Sequence, residues 1–279
     1  MIGRFRPEAF IAAGSWGSVL RAIDTATGQV VAVKRLHDFL CEPTMLARFE
    51  REARLLAGLS DPHVVRYIAH GRDAQDRPYL VLEWLDGEDL GHWRKGVGHT
   101  LRQVIDVTRQ AAVGLGVLHD AGIVHRDIKP SNFFLTGDRA SPSVVLIDLG
   151  IARSLGDPEL SAAGFLVGTP AYMSPEQARG QQDLSSRSDL FSLGVVLFEL
   201  CSGRKPYHAE DMASLARAIA LGKPPRLREA LPSASDALDA LVATAMAYDP
   251  ADRFASGRAL ADALAALPGG DEPLPCAPA

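Results

Sequence analysis

The apolar positions of this chain change spacing along its length, and the changes predict where strands give way to helices. Residues 10–20 and 30–34 are strand-like runs joined through Gly14, Gly17 and Gly28, which predicts a hairpin. Between positions 44 and 59, Leu46, Phe49, Ala53, Leu56 and Leu59 recur every three or four residues, as on a helix with one buried face. Asp61-Pro62 ends that helix. Residues 64–69 and 78–84 again read as strands. The first 82 residues therefore predict a small β-rich lobe with one main helix.

Beyond this point the helical period dominates. Leu101, Val104, Val107, Ala111, Leu115 and Leu118 predict a helix over 101–121, with Gly122 placed to stop it. Residues 185–202 are mostly apolar, with serines suited to capping the start and Gly203 just past the end. Further helices are predicted over 211–221, 234–247 and 256–267. Two stretches interrupt them. Val144-Val145-Leu146-Ile147 is short, apolar and β-branched, a buried strand; residues 151–173 form a long loop, which in a compact domain signals function. Residues 268–279, rich in Pro and Gly, predict a flexible tail. There is no internal repeat.

Composition narrows the class. At 279 residues with 47% apolar side chains, the chain can bury a sizeable core and is long enough for two lobes. A net charge of -5 argues against a nucleic-acid partner, which draws on clustered Lys and Arg. Cys41, Cys201 and Cys276 are far apart and odd in number, which fits a reducing, cytoplasmic compartment. The most apolar run, 190–201, contains Ser192 and Glu199 and is shorter than the roughly 20 apolar residues a membrane span needs, so no membrane segment is expected.

The chemistry concentrates in His125-Arg126-Asp127-Ile128-Lys129-Pro130-Ser131-Asn132 and, shortly after, in Asp148-Leu149-Gly150 at the end of the predicted buried strand. Two carboxylates, a lysine and an amide on neighbouring loops suit gripping a metal-bound phosphate and steering a hydroxyl toward it. These residues resemble the catalytic loop and metal-binding D-F-G segment of protein kinases, with Leu149 in place of Phe. The resemblance implies an α+β, bilobal protein-kinase-like fold: an N-lobe over 1–82, a hinge over 83–89 and a larger, mostly helical C-lobe over 90–267.

It also implies roles. Asp127 would accept the proton of the substrate hydroxyl, Lys129 would contact the transferred phosphate, and Asn132 and Asp148 would hold Mg²⁺, or Mn²⁺ in its place, against ATP. Ile11, Ala12, Ala13, Gly14, Ser15, Trp16, Gly17, Ser18 and Val19 resemble the glycine-rich phosphate loop, with Ala12 where the first glycine is usual. Lys34 closes a V-A-V-K strand like the lysine that binds the α- and β-phosphates, with Glu52 matching its helix partner. Leu82 would gate the pocket behind adenine, Glu83 and Leu85 would offer main-chain groups to it, and Val19, Ala32 and Phe134 would line its faces.

The segment Gly168-Thr169-Pro170-Ala171-Tyr172-Met173-Ser174-Pro175-Glu176 resembles the end of an activation segment, with Ser174 replacing the Ala of A-P-E. A phosphate on Ser161 or Thr169 could pair with Arg126, while Glu176 with Arg253, and Asp189 under the catalytic loop, match structural positions. The whole wording is similar to bacterial eukaryotic-like serine/threonine kinases. Protein substrates carrying Ser or Thr, autophosphorylation, and a monomer or weak homodimer are the implied expectations. A nucleotide-binding pseudokinase scaffold and a small-molecule phosphotransferase are the competing classes.

Overall fold

The computed structural model describes residues 1–14, 17–37, 43–95, 98–148 and 170–275. Ser15, Trp16, Cys41, Leu149, Gly150, Ser161, Thr169 and Cys276 lie outside the described residues, as does the side chain of Glu52.

Near the N-terminus, β1 (Phe5–Gly14), β2 (Gly17–Asp24), β3 (Val30–Leu36), β4 (Tyr67–Arg72) and β5 (Pro78–Glu83) build an antiparallel sheet, ordered β1-β2-β3-β5-β4 among the described residues. Strand alternation decides what this sheet presents. Val31 and Val33 of β3 bury one face in a small core with Phe5, Tyr79 and Val81. Ala32 and Lys34, one residue out of phase, therefore belong to the other face, with Lys34 opposite Val19 and Leu80. Helix α1 (Pro43–Ala57) buries Leu46, Phe49, Ala53 and Leu56, the face its periodicity predicts.

The strand expected over 64–69 is shifted. Strand β4 begins at Tyr67, because Val64 and Val65 are committed elsewhere. They run beside a later strand, with the Val65 N–H donating to the Leu146 carbonyl at 3.0 Å and the Leu146 N–H to the His63 carbonyl at 2.9 Å. Both valines are buried there, tying the two lobes together.

The second lobe starts with β6 (Gly87–Asp89) and α2 (Leu90–Trp93), followed by α3 (Leu101–Asp120), β7 (Phe133–Thr136) and β8 (Ser143–Leu146). Thr100 and Gln103 form a reciprocal cap at the start of α3. At its far end Gly122, at φ +76°, turns the chain so that the Ile123 N–H reaches back to the Leu118 carbonyl at 2.9 Å. Strands β6-β7-β8 form a small sheet of their own. After Pro170–Tyr172, a turn of 3-10 helix, come α4 (Pro175–Ala178), α5 (Ser186–Ser202), α6 (Met212–Leu221), α7 (Leu227–Ala230), α8 (Asp236–Ala245) and α9 (Gly257–Ala265).

Residues Ser188 to Ser202 of α5 are all buried, which makes it the lobe's central post. Polar groups on such a post need partners, and Asp189 and Glu199 have them. The expectation of a flexible tail needs correction for residues 268–275. The Gly270 carbonyl accepts from the Arg102 N–H at 3.1 Å, the Leu274 N–H donates to the His99 carbonyl at 2.8 Å, and Asp271 pairs with Arg102. The composition suggested mobility, but the apolar Leu274 side chain packs on the main core and backbone pairing holds the rest.

Candidate active site

The backbone of the catalytic loop hangs from α5. The Asp189 carboxylate, 1% exposed, accepts from the Arg126 N–H at 2.8 Å through one oxygen and from the His125 N–H at 2.8 Å through the other. His119, on α3, adds a third contact through Nε2 at 2.9 Å. Arg126 adopts φ +65°, a left-handed conformation costing a non-glycine residue on the order of 1–2 kcal/mol, and these bonds hold it there. His125 is fully buried; its Nδ1 accepts from the Asp127 N–H at 3.3 Å.

That arrangement aims Asp127 into a cleft of about 920 Å³ between the lobes. Lys129 Nζ lies 3.0 Å from the Asp127 carboxylate, and both residues line the cleft. Asn132 donates from its amide nitrogen to the Asp127 main-chain carbonyl at 2.7 Å, so its amide oxygen is the atom left to face a cation. The Asn132 carbonyl in turn accepts from the Ile147 N–H at 2.8 Å, which fixes the residue before Asp148.

Asp148 sits at φ +58° at the end of the short strand path from β8, and its carboxylate forms an ion pair with Lys34. Burial works to raise the Asp148 carboxyl, but Lys34, helped by His125 and Lys129, outweighs it and holds the group below the usual carboxylate range. The carboxylate is therefore kept charged. Lys34, expected to face Glu52, has Asp148 as its partner here; the Glu52 side chain lies outside the described residues.

Two hard oxygen donors, the Asn132 amide and the Asp148 carboxylate, thus border one cavity. Magnesium takes one or two protein oxygens plus phosphate oxygens, so this donor set fits it. Among the described residues there is no larger cluster of three or more His, Cys, Asp or Glu side chains suited to a metal.

The roof and back of the same cleft come from the small lobe. Ile11, Ala12, Ala13, Gly17 and Val19 line it above, Ala32 and Leu82 border it, with Phe134 of β7 facing in from the second lobe, and Glu83 and Leu85 lie along its hinge. Ser18 does not line it: on β2 it alternates with Gly17 and Val19, which do. Gly14 pairs with Gly17 at the turn. The Glu83 N–H is taken by the Arg66 carbonyl at 3.0 Å.

Sequence reading missed Val65, Trp84, Asp86, Ser131 and Ile147 on the wall. Their neighbours carried the motif, and only the fold brings Val65 to the cleft. Trp84 has a partner of its own, with Nε1 donating to Asp86 at 2.9 Å and the Arg21 guanidinium 5.6 Å from its ring centre.

Further from the cleft, Arg253 grips Glu176 with two nitrogens at 2.7 and 2.9 Å, and Ser188 donates to the same carboxylate at 2.6 Å. Burial opposes the charge on Glu176, yet these donors bring its carboxyl down to about 2. Tyr172 donates to Glu199 at 2.7 Å, and Arg94 pairs with the same carboxylate. The end of the long loop is thereby pinned to α5. Arg126 is on the catalytic loop as expected, whereas both expected phosphate acceptors, Ser161 and Thr169, are outside the described residues.

A family model described as the protein kinase domain matches residues 5–264. Among curated relatives, the serine/threonine-protein kinase PknA of Mycobacterium tuberculosis is 35% identical over 277 residues, covering 97% of this chain and 63% of the relative. Serine/threonine-protein kinase pkn3 of Myxococcus xanthus is 35% identical over 277 residues, covering 95% and 50%. This chain thus spans about half to two thirds of the length of these two relatives. The crystal structure of the M. tuberculosis PknI kinase domain superposes with a TM-score of 0.73 at 25% identity, over 95% of each chain.

Proposed function

Since the chain belongs to the protein kinase family, alongside the bacterial serine/threonine kinases, we propose that it transfers the γ-phosphate of ATP to Ser or Thr hydroxyls of protein substrates, its own activation segment included. The observation that carries this reading is the convergence of Lys34, Asp127, Lys129, Asn132 and Asp148, drawn from both lobes, on one cleft. A scaffold that merely held nucleotide would not need the carboxylate and lysine at the acceptor side.

The work divides among the chain's own groups. Asp127 takes the proton from the attacking hydroxyl, and Lys129, beside it, draws charge from the phosphoryl oxygens as they move toward that hydroxyl. Lys34 steadies the α- and β-phosphates, which requires it to share or release its bond to Asp148. Asn132 and Asp148 would hold Mg²⁺ or Mn²⁺, whose charge offsets that of the phosphate oxygens when bound. Adenine would lie between Val19, Ala32 and Phe134. Because the Glu83 N–H is already used, that residue has its carbonyl to offer, with Leu85 supplying the next main-chain group. Catalysis would then come from positioning and charge.

Arg126 would pair with a phosphate on Ser161 or Thr169 and so order the activation segment, and its clamped backbone supports that use. Among the described residues no helix is long and apolar enough to cross a membrane. Cytoplasmic work is supported by the odd number and wide spacing of the cysteines. We take the functional unit to be a monomer or weak homodimer, which sedimentation would check.

The test is incubation with ATP and Mg²⁺ followed by phosphopeptide mass spectrometry, comparing wild type with Asp127→Asn. Phosphoserine or phosphothreonine in the wild type alone is expected. Equal signals, or none from either, would remove the kinase reading.

A further inference from the structure

The strained Arg126 peptide is held from both sides, and only one side has been accounted for. Its N–H goes to Asp189, while its carbonyl accepts from Gln177 Nε2 at 2.8 Å. Gln177 lies on α4, at the end of the activation segment. The other half of its amide is also committed: Oε1 accepts from the Ser174 N–H at 3.0 Å, within the reciprocal cap that starts α4. A carbonyl on one side and an N–H on the other fix which way the amide must point. One glutamine therefore joins the residue before the catalytic carboxylate to the start of the helix that closes the activation segment.

We infer that Gln177 is a positioning residue for phosphate transfer. Through the Arg126 carbonyl it holds the left-handed turn that aims Asp127, and it makes the set of that turn depend on the seating of α4. The inference rests on the kinase reading but goes beyond it, since Gln177 is not among the residues that line the cleft. The geometry offers a discriminating substitution. In Gln177→Glu the side chain keeps its length, and a carboxylate oxygen still accepts from the Ser174 N–H, so the cap survives. The donor to Arg126 is lost, and an acceptor faces an acceptor.

The experiment compares wild type, Gln177→Glu, Gln177→Met and Ser174→Ala. Ser174→Ala removes the capping hydroxyl but leaves the main-chain N–H that Gln177 accepts from, and so keeps the amide bridge. Three quantities are read: kcat and KM for ATP in peptide phosphorylation, the melting temperature, and amide hydrogen exchange over residues 125–128. For both Gln177 variants kcat is expected to fall about tenfold, the size of one lost hydrogen bond to a fixed carbonyl, with KM for ATP unchanged. Exchange over 125–128 should quicken in both, and in Gln177→Glu by more than any fall in its melting temperature accounts for. Ser174→Ala should match wild type in kcat and in that exchange. Wild-type turnover and wild-type exchange in Gln177→Glu would overturn the inference, as would equal losses in Ser174→Ala. A wild type that transfers no phosphate would instead sink the kinase reading, and the exchange comparison alone would then decide the role of Gln177.

Discussion

The roof and the floor of the cleft are built on opposite principles. The roof, β1 with β2, is exposed along nearly all of β1: Phe10 is 63% and Ile11 48% exposed, and the pairing of the two strands is irregular twice. The floor has its key carboxylate, Asp189, at 1% exposure with three partners, and it carries two non-glycine residues, Arg126 and Asp148, in left-handed conformations. Strain of that kind persists only where the surroundings over-determine it. On the proposed kinase reading, the contrast teaches that this chain spends its buried polar groups where a hydroxyl would be aimed, and leaves the surface over the phosphates lightly held. A roof with few buried contacts can lift to admit and release nucleotide, while the floor keeps its geometry.

Substitutions in the two regions should therefore differ in size and in kind. The largest effect belongs to Asp127→Asn, which leaves its neighbours' backbone bonds intact but removes the base; a fall in kcat of about a thousandfold is expected with an unchanged melting temperature. A real but partial loss, below tenfold, would mean that another group accepts the proton.

Next comes Asp189→Asn, which touches no substrate. One of its two oxygens becomes an NH₂ facing an N–H of the catalytic loop, so a buried donor is left without an acceptor. The cost should be about 1–3 kcal/mol of stability, read from the denaturant midpoint, together with a fall in kcat. Stability lost with kcat retained would show that the loop does not need this support to aim Asp127.

An effect on stability alone, and dependent on pH, separates the C-lobe scaffold from the cleft. The Glu176 carboxyl is at about 2 in the folded chain, against an ordinary value of 4.5. A depressed carboxyl contributes stability that is complete above the ordinary value and fades as pH falls toward the folded one. That difference corresponds to on the order of 3 kcal/mol, lost progressively below about pH 4.5. Urea unfolding at pH 7, 5 and 3 should show the loss in wild type, and Glu176→Gln should be less stable at pH 7 and flatter below pH 4.5. Parallel curves for the two proteins would remove Glu176 as the source.

What could be read in advance follows the same division. Helix α3 and the all-round apolar α5 were legible because their patterns have one physical solution each, and Lys34, Asp127, Asn132 and Asp148 because their order along the chain matches a known motif. The pairing of Val64 and Val65 with β8 was not legible, since two adjacent valines suit either sheet equally. The partners His119 and Gln177 were not legible either: each acts through one hydrogen bond to a group dozens of residues away, and a single polar side chain on a helix has no period to betray it. Docking of residues 268–275 depends on backbone pairing with the segment before α3, to which composition is blind.

The smallest expected effect lies in the roof and tests how lightly it is held. Ala12 stands where a glycine is usual in the resembling loop, and two consequences could follow: backbone strain, or crowding by its methyl group. Left-handed strain is ruled out by the backbone, because Ala12 is not among the non-glycine residues at positive φ and, just past the irregularity between Phe10 and Ala12, it pairs with Val19. Only the methyl remains, on the cleft wall and exposed to it. Ala12→Gly should therefore change KM for ATP by no more than about threefold, below the roughly 0.8 kcal/mol that one CH₂ group can contribute, and should leave kcat and the melting temperature in place. A tenfold fall in KM would show instead that the loop is held rigidly against the nucleotide, and the contrast between roof and floor would have to be given up.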